Sequence, residues 1–209
     1  MSGGLRWRRR RQARRGLWQG DWYRPARWVP SPNFGPRPAG QGVRLAVVHS
    51  ISLPPGRYGG DAIERFFTNR LDPIEHPYYA GLAGVAVSAH FLVRRDGEIV
   101  QFVGIGERAW HAGASVWRGV PNCNDYTLGI ELEGLEGRSF EPVQYRAAAC
   151  LLRHAVCVWP VAEVVGHEHV APGRKGDPGP GFDWRRLARL LRRSMVCSAW
   201  SVRDLSMGH

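Results

Sequence analysis

The sequence predicts a mixed α/β domain, with a central mixed β-sheet flanked by helices. Three observations predict it. "VRLAVVHS" (43–50) is a short, continuously apolar run rich in β-branched residues, the pattern of a buried central strand. "EPVQYRAAACLLRHAVCVW" (141–159) and "FDWRRLARLLRR" (182–193) read as amphipathic helices. Strands and helices mix without a strict βαβ rhythm, so the sheet is expected to be mixed rather than purely parallel. A chain of 209 residues with 44% hydrophobic content can bury one sizeable core.

Taken in order, residues 1–25 read as an Arg-rich, flexible N-terminal tail, 26–195 as the domain and 196–209 as a C-terminal tail. "RWVPSPNFGPRPAGQG" is a Pro-rich, extended lead-in that cannot be helical throughout. After the 43–50 strand, "SISLPPGRYGG" is a loop. "DAIERFFTN" then reads as a short helix, with Asp61 and Glu64 in capping-box spacing. "SAHFLVRRDGEIVQFV" (88–103) is a hairpin turning at Asp96-Gly97. "YTLGIELEG" (126–134) alternates: Tyr126, Leu128, Ile130 and Leu132 share one face, while Thr127, Gly129, Glu131 and Glu133 share the other.

Net charge is +11, but Arg6, Arg8, Arg9, Arg10, Arg11, Arg14 and Arg15 supply seven of those charges, and the rest of the chain carries +4. Basicity is therefore a property of the tail, and no specific nucleic-acid partner is expected beyond a salt-sensitive contact of that block. No apolar run approaches the roughly 20 residues that cross a bilayer. The first residues lack the apolar stretch of an export signal. Cys123, Cys150, Cys157 and Cys197 form no C-x-x-C pair, which fits a reduced, cytoplasmic protein.

Chemistry concentrates in "GHEHVAPGRKGDPG" (166–179), where His167, Lys175 and Asp177 stand at i, i+8 and i+10 among glycines and prolines. Zinc needs three or four nitrogen, oxygen or sulfur ligands, so a third must come from elsewhere. His49, ending the apolar strand, is the best candidate. Glu131 offers a carboxylate to act as general base, although Glu133 lies on the same face and spacing does not choose between them. Lys175 is the chain's only lysine, and an ammonium there could stabilise a developing oxyanion. "AWHAG" (109–113) sets Trp110 and His111 beside small residues, as a sugar- or peptide-contacting loop would. His90 can face inward or toward a pocket, and His76, His154 and His209 read as surface residues.

In this order the segments "VPSPNFGPRP", "LAVVHSISLPPGRYGG", "VSAHFLVRRDGEIVQFV", "RAWHAG", "CNDYTLGIELEG" and "GHEHVAPGRKGDPGPGFDW" resemble the zinc-dependent N-acetylmuramoyl-L-alanine amidases, and within them the cytoplasmic AmpD type. They span about residues 29–184. The resemblance implies the single-domain fold shared with peptidoglycan-recognition proteins. It implies His49, His167 and Asp177 as Zn2+ ligands, Glu131 as the catalytic carboxylate, and Lys175 as the oxyanion's partner. Trp110, His111 and Asn124 would help hold the substrate. Register favours His167 over His169, two residues on. The implied reaction is hydrolysis of the lactyl–L-alanine amide in small, soluble 1,6-anhydro-muropeptides during peptidoglycan recycling, by an enzyme expected to be monomeric. Two departures stand out: the arginine head is longer than the family needs, and Ala86 and Asn122 occupy positions where some relatives carry arginines near the stem peptide. A non-catalytic muropeptide-binding protein of the same fold would typically lack one of the five residues. An amidase of intact wall would call for export and a wall-binding module.

Overall fold

The computed structural model describes residues 16–192 and the strand Ser201–Val202; the arginine block, Cys197 and most of the expected C-terminal tail lie outside the described residues. A seven-stranded sheet organises the chain. In sequence order its strands are β1 (Arg27–Trp28), β2 (Leu45–Ile51), β3 (Phe91–Val93), β4 (Ile99–Gln101), β5 (Thr127–Glu133), β6 (Glu163–Gly166) and β7 (Ser201–Val202). Their spatial order is β7-β6-β2-β5-β3-β4-β1. The β3–β4 hairpin pairs antiparallel, and the other pairings in this sheet are parallel. The mixed sheet the sequence predicts is the sheet observed.

Five α-helices are described: α1 (Ala62–Phe67), α2 (Pro77–Ala80), α3 (Pro142–Ala155), α4 (His167–Val170) and α5 (Trp184–Arg192). Ala46 and Val48 of β2 meet Leu128, Ile130 and Leu132 of β5 in the larger core, under Leu151 and Leu152 of α3 and Leu187 of α5. On the opposite face, Leu45 and Val47 pack with Tyr126, Val165 and Val170. Beside them, Phe66 and Phe67 of α1 pack on Leu92, Val100 and Phe102. Fully buried Gln144 ties α3 to the sheet, donating to the carbonyls of Val93 (3.1 Å) and Glu133 (3.0 Å). None of the described helices is long and apolar enough to cross a membrane.

The structure departs from the sequence reading in four places. First, the folded part begins before residue 26. Trp18 and Tyr23 are buried, Trp18 lies edge-on to Trp159 at 4.5 Å, and Tyr23 Oη is 2.6 Å from His154 Nδ1. Aromatic side chains bury enough area to order such a segment, and the same contact takes His154 off the open surface. Second, β7 adds a parallel strand to β6 in the segment expected as tail. Third, Tyr126, expected on the face of Leu128, Ile130 and Leu132, packs with Leu45 and Val47 on the opposite face because it precedes the strand and falls outside its alternation, and every residue of β5 itself is buried. Fourth, Asp61 makes no side-chain cap on α1. Glu64 turns instead to Arg27 (2.6 and 2.9 Å) and Arg94 (2.5 Å), because two guanidiniums outcompete a single backbone N–H.

This ion network joins β1, α1 and the β3–β4 hairpin. Glu64→Gln is expected to cost about 1–3 kcal/mol in urea unfolding at neutral pH, the range for lost hydrogen bonds to charged groups. Arg27, then Arg94, hold the Glu64 carboxyl below its usual range, even though burial pulls the other way. Its contribution is therefore present above about pH 4.5 and fades as pH falls through the lowered value, so wild type and variant converge in acid. An undiminished gap at about pH 3 would contradict this account.

Candidate metal centre and active site

Parallel pairing sets His49 of β2 directly beside Glu131 of β5. Laterally paired residues of parallel strands point to the same face, so both side chains emerge together. Gly166 ends β6 opposite Val48, which starts His167 and α4 next to His49. Beyond α4 the chain folds back on itself. The Lys175 N–H donates to the Ala171 carbonyl (3.0 Å) and the Glu168 N–H to the Asp177 carbonyl (2.9 Å), returning Asp177 to His167. The site thus lies toward the carboxyl ends of parallel strands, where open α/β sheets bind ligands.

His49 Nδ1 and His167 Nδ1 are 3.0 Å apart, and each is 3.2 Å from Asp177 Oδ2. His167 Nε2 lies 3.1 Å from the Ala112 carbonyl, which can only accept, so Nε2 carries a proton and donates there while Nδ1 faces the cluster. Burial, helped by His167 and Lys175 and opposed by Asp177, lowers the His49 pKa to about 4, so that ring is neutral at pH 7. For Asp177, burial opposes ionisation, but contact with His167 and His49 reverses it and holds the carboxyl well below its usual range. Two imidazoles and a carboxylate converge here, and their three ligand atoms lie within 4.8 Å of one another. Ligand atoms around tetrahedral zinc stand about 3.3 Å apart, given bonds of about 2.0–2.1 Å. The donor set and its spacing fit a zinc ion.

The two glutamates that spacing left open have different surroundings. Glu133 accepts from the Gly59 N–H at 2.6 Å and the Arg95 N–H at 3.1 Å, and its carboxylate also faces Arg94. Glu131 Oε2 is buried without a hydrogen-bond partner. Burial, then the nearby Asp177, push its pKa well up, while Lys175 pulls it down. His49, Glu131, His167, Asp177 and Lys175 line one groove of about 510 Å³, whose apolar walls include Leu53, Phe66, Tyr78, Leu82 and Leu135.

Trp110 and His111 also line this groove, but both His111 ring nitrogens are engaged, with His49 Nε2 (2.9 Å) and Thr127 Oγ1 (3.1 Å). Asn124, expected among the substrate contacts, is instead buried behind the loop. Its Oδ1 accepts from the N–H groups of His111 (3.1 Å) and Ala112 (2.8 Å). His169 turns away from the cluster, accepting at Nδ1 from the Gly166 N–H (2.8 Å). His90 faces inward: Nδ1 accepts from the Gly129 N–H (3.0 Å), and burial lowers its pKa to about 3. Sequence reasoning missed Arg174, whose Nη2 donates to the carbonyls of Ala112 (2.6 Å) and Ala114 (2.7 Å). It also missed Arg37, which donates to the carbonyls of Asn124, Ile105 and Thr127. Their partners are backbone carbonyls, which residue types do not reveal.

A family model described as N-acetylmuramoyl-L-alanine amidase matches residues 39–180. The 1,6-anhydro-N-acetylmuramyl-L-alanine amidase AmpD of Citrobacter freundii is 47% identical over 175 residues, covering 83% of this chain and 94% of the relative. A crystal structure of an AmpD derivative superposes with a TM-score of 0.82 at 47% identity, covering 84% of this chain and 99% of that one. The Escherichia coli amidase AmiD, solved with anhydro-N-acetylmuramic acid-L-Ala-D-γ-Glu-L-Lys, matches with a TM-score of 0.53 at 30% identity, covering 73% and 59%.

Zinc held by this cluster would register as stability. At a hundredfold excess over its Kd, zinc is expected to stabilise the metal-stripped protein by about 2.7 kcal/mol. For a domain of this size that raises Tm by roughly 5–10 °C. His167→Ala should abolish the shift; an equal shift in the variant would place the ion elsewhere.

Proposed function

The chain belongs to the N-acetylmuramoyl-L-alanine amidase family, and we propose that it hydrolyses the amide joining the lactyl group of 1,6-anhydro-N-acetylmuramic acid to L-alanine in soluble muropeptides. In this reading zinc is the cofactor and cytoplasmic recycling of peptidoglycan the setting. One observation carries it: a buried carboxylate oxygen with no partner stands on the strand next to an N,N,O cluster, at the floor of a single groove.

His49 Nδ1, His167 Nδ1 and the Asp177 carboxylate would hold the zinc, which supplies Lewis acidity toward a water and the amide carbonyl. Glu131 accepts the proton of the attacking water at its unpartnered oxygen and returns it to the alanine nitrogen as the C–N bond breaks. Burial raises the basicity of Glu131, and the Lys175 ammonium tempers it. Lys175 lines the same groove, and its ammonium would offset the oxyanion of the tetrahedral intermediate. The apolar walls exclude water from the bound ligand, and Trp110 offers a face on which a sugar ring can rest.

Release of free peptide from purified 1,6-anhydro-muramyl-tripeptide tests the reading. Cleavage should require zinc and cease with chelator. Glu131→Ala should lose about 10²–10⁴ in kcat, the usual worth of a general acid–base group. Lys175→Ala should lose about 10²–10³, as when an oxyanion donor is removed. A folded, zinc-loaded protein that binds the muropeptide without cleaving it would instead be a binding protein of this fold.

A further inference from the structure

The segment Trp110–Gly113 passes behind the metal cluster, and both imidazoles of the cluster are oriented by it. His167 donates Nε2–H to the Ala112 carbonyl at 3.1 Å. His49 places Nε2 2.9 Å from His111 Nδ1, and the other nitrogen of His111 sits 3.1 Å from Thr127 Oγ1. The proton positions along this line are linked. A single proton lies between His49 Nε2 and His111 Nδ1. Were it held by His111, a neutral His49 would carry its own proton on Nδ1, aimed at His167 Nδ1 and Asp177 Oδ2. Held by His49, it leaves Nδ1 bare, and the His111 proton moves to Nε2, where Thr127 Oγ1 accepts it. Only the second arrangement presents a lone pair to a metal.

The His111 ring is built into place for this purpose. It lies over Gly129, where an added Cβ would come within 2.5 Å of His111 Cγ, so only glycine leaves room for it. Asn124 Oδ1 fixes the backbone N–H groups of His111 and Ala112, and Arg37 holds the Thr127 carbonyl at 2.9 Å. The ring stands edge-on to His49, with centroids 5.0 Å apart, at the nitrogen of His49 that faces away from the cluster.

We propose that His111 is a positioning residue of the metal centre: it accepts the Nε2–H of His49, passes its own proton to Thr127, and so keeps the His49 Nδ1 lone pair directed at the metal. The proposal rests on the zinc-site reading above. It gives the "AWHAG" loop a role behind the metal besides any contact with ligand, and explains why Gly129 interrupts a strand of larger residues.

The test compares His111→Asn with His111→Leu in the full chain. These replacements have nearly the same shape, but Asn keeps an acceptor close to the position of the ring Nδ1 and Leu does not. Zinc affinity is measured on metal-stripped protein by competition with a chelating dye, with circular dichroism to verify folding. Leu is expected to weaken zinc binding by about 10–100-fold, the usual effect of losing a partner behind a metal ligand, and Asn to stay within a few-fold of wild type. Equal loss in both variants would reduce His111 to a packing residue, and wild-type affinity in the Leu variant would overturn the proposal outright. If the Leu variant does not fold, Thr127→Val replaces it. That change keeps the side chain's shape and removes the Oγ1 acceptor, so it should weaken zinc several-fold, and unchanged affinity would overturn the proposal. A wild-type protein that binds no zinc in this assay would instead remove the metal-site reading, and the proposal with it.

Discussion

The site depends on the parallel pairing of β2 with β5. Side chains alternate along both strands, so a slip of one residue would send His49 into the core beneath α3 and bring Val48 into the groove. The register is held by what lies on either side of the functional pair. Ala46 and Val48 are fixed against Leu128, Ile130 and Leu132 on one face, and Leu45 and Val47 against Tyr126 and Val165 on the other. The placement of Glu131, the proposed base, beside His49, the proposed metal ligand, is thus inherited from the burial of small and branched apolar residues, a term that is strong and has no directional chemistry of its own.

The same pairing creates a problem, because the polar face of β5 is buried and each polar group there needs a partner. Most are supplied. Thr127 has the His111 ring, the Gly129 N–H has His90, and Glu133 has two backbone N–H groups and an arginine. Against this nearly complete background the unpartnered oxygen of Glu131 is informative. That unmatched oxygen lies in the groove, where the proposed proton transfer at Glu131 would use it.

Much of this arrangement was legible in the sequence. The β2 run, the alternation of β5 and the two long helices follow from apolar period, and the 166–179 loop stood out by residue type, so His49, His167, Asp177 and Lys175 could be named before any coordinate. What was hidden depended on contacts distant in the chain. Spacing alone did not choose between Glu131 and Glu133; only the resemblance pointed to Glu131, because the contacts of Gly59 and Arg95 with Glu133 come from distant segments. Asn124 was expected as a ligand contact from the resemblance, and nothing local shows that its amide oxygen accepts from the His111 and Ala112 backbone. Glu64 satisfied a capping pattern that two arginines, one from β1 and one from the hairpin, then overrode. Trp18 and Tyr23 sat in what read as a tail, because their partners Trp159 and His154 come more than 100 residues later.

Glu133 has a mechanical side as well. Through Gly59 it fastens the end of the loop that contributes Leu53 and Pro55 to the groove wall, only two positions along the strand from the residue assigned to proton transfer. Wall and reaction centre are therefore indexed to one short length of backbone. Their alignment is a matter of the strand's own pitch and accumulates no error from separate supports, so a sheet of ordinary regularity can give the groove a fixed gauge.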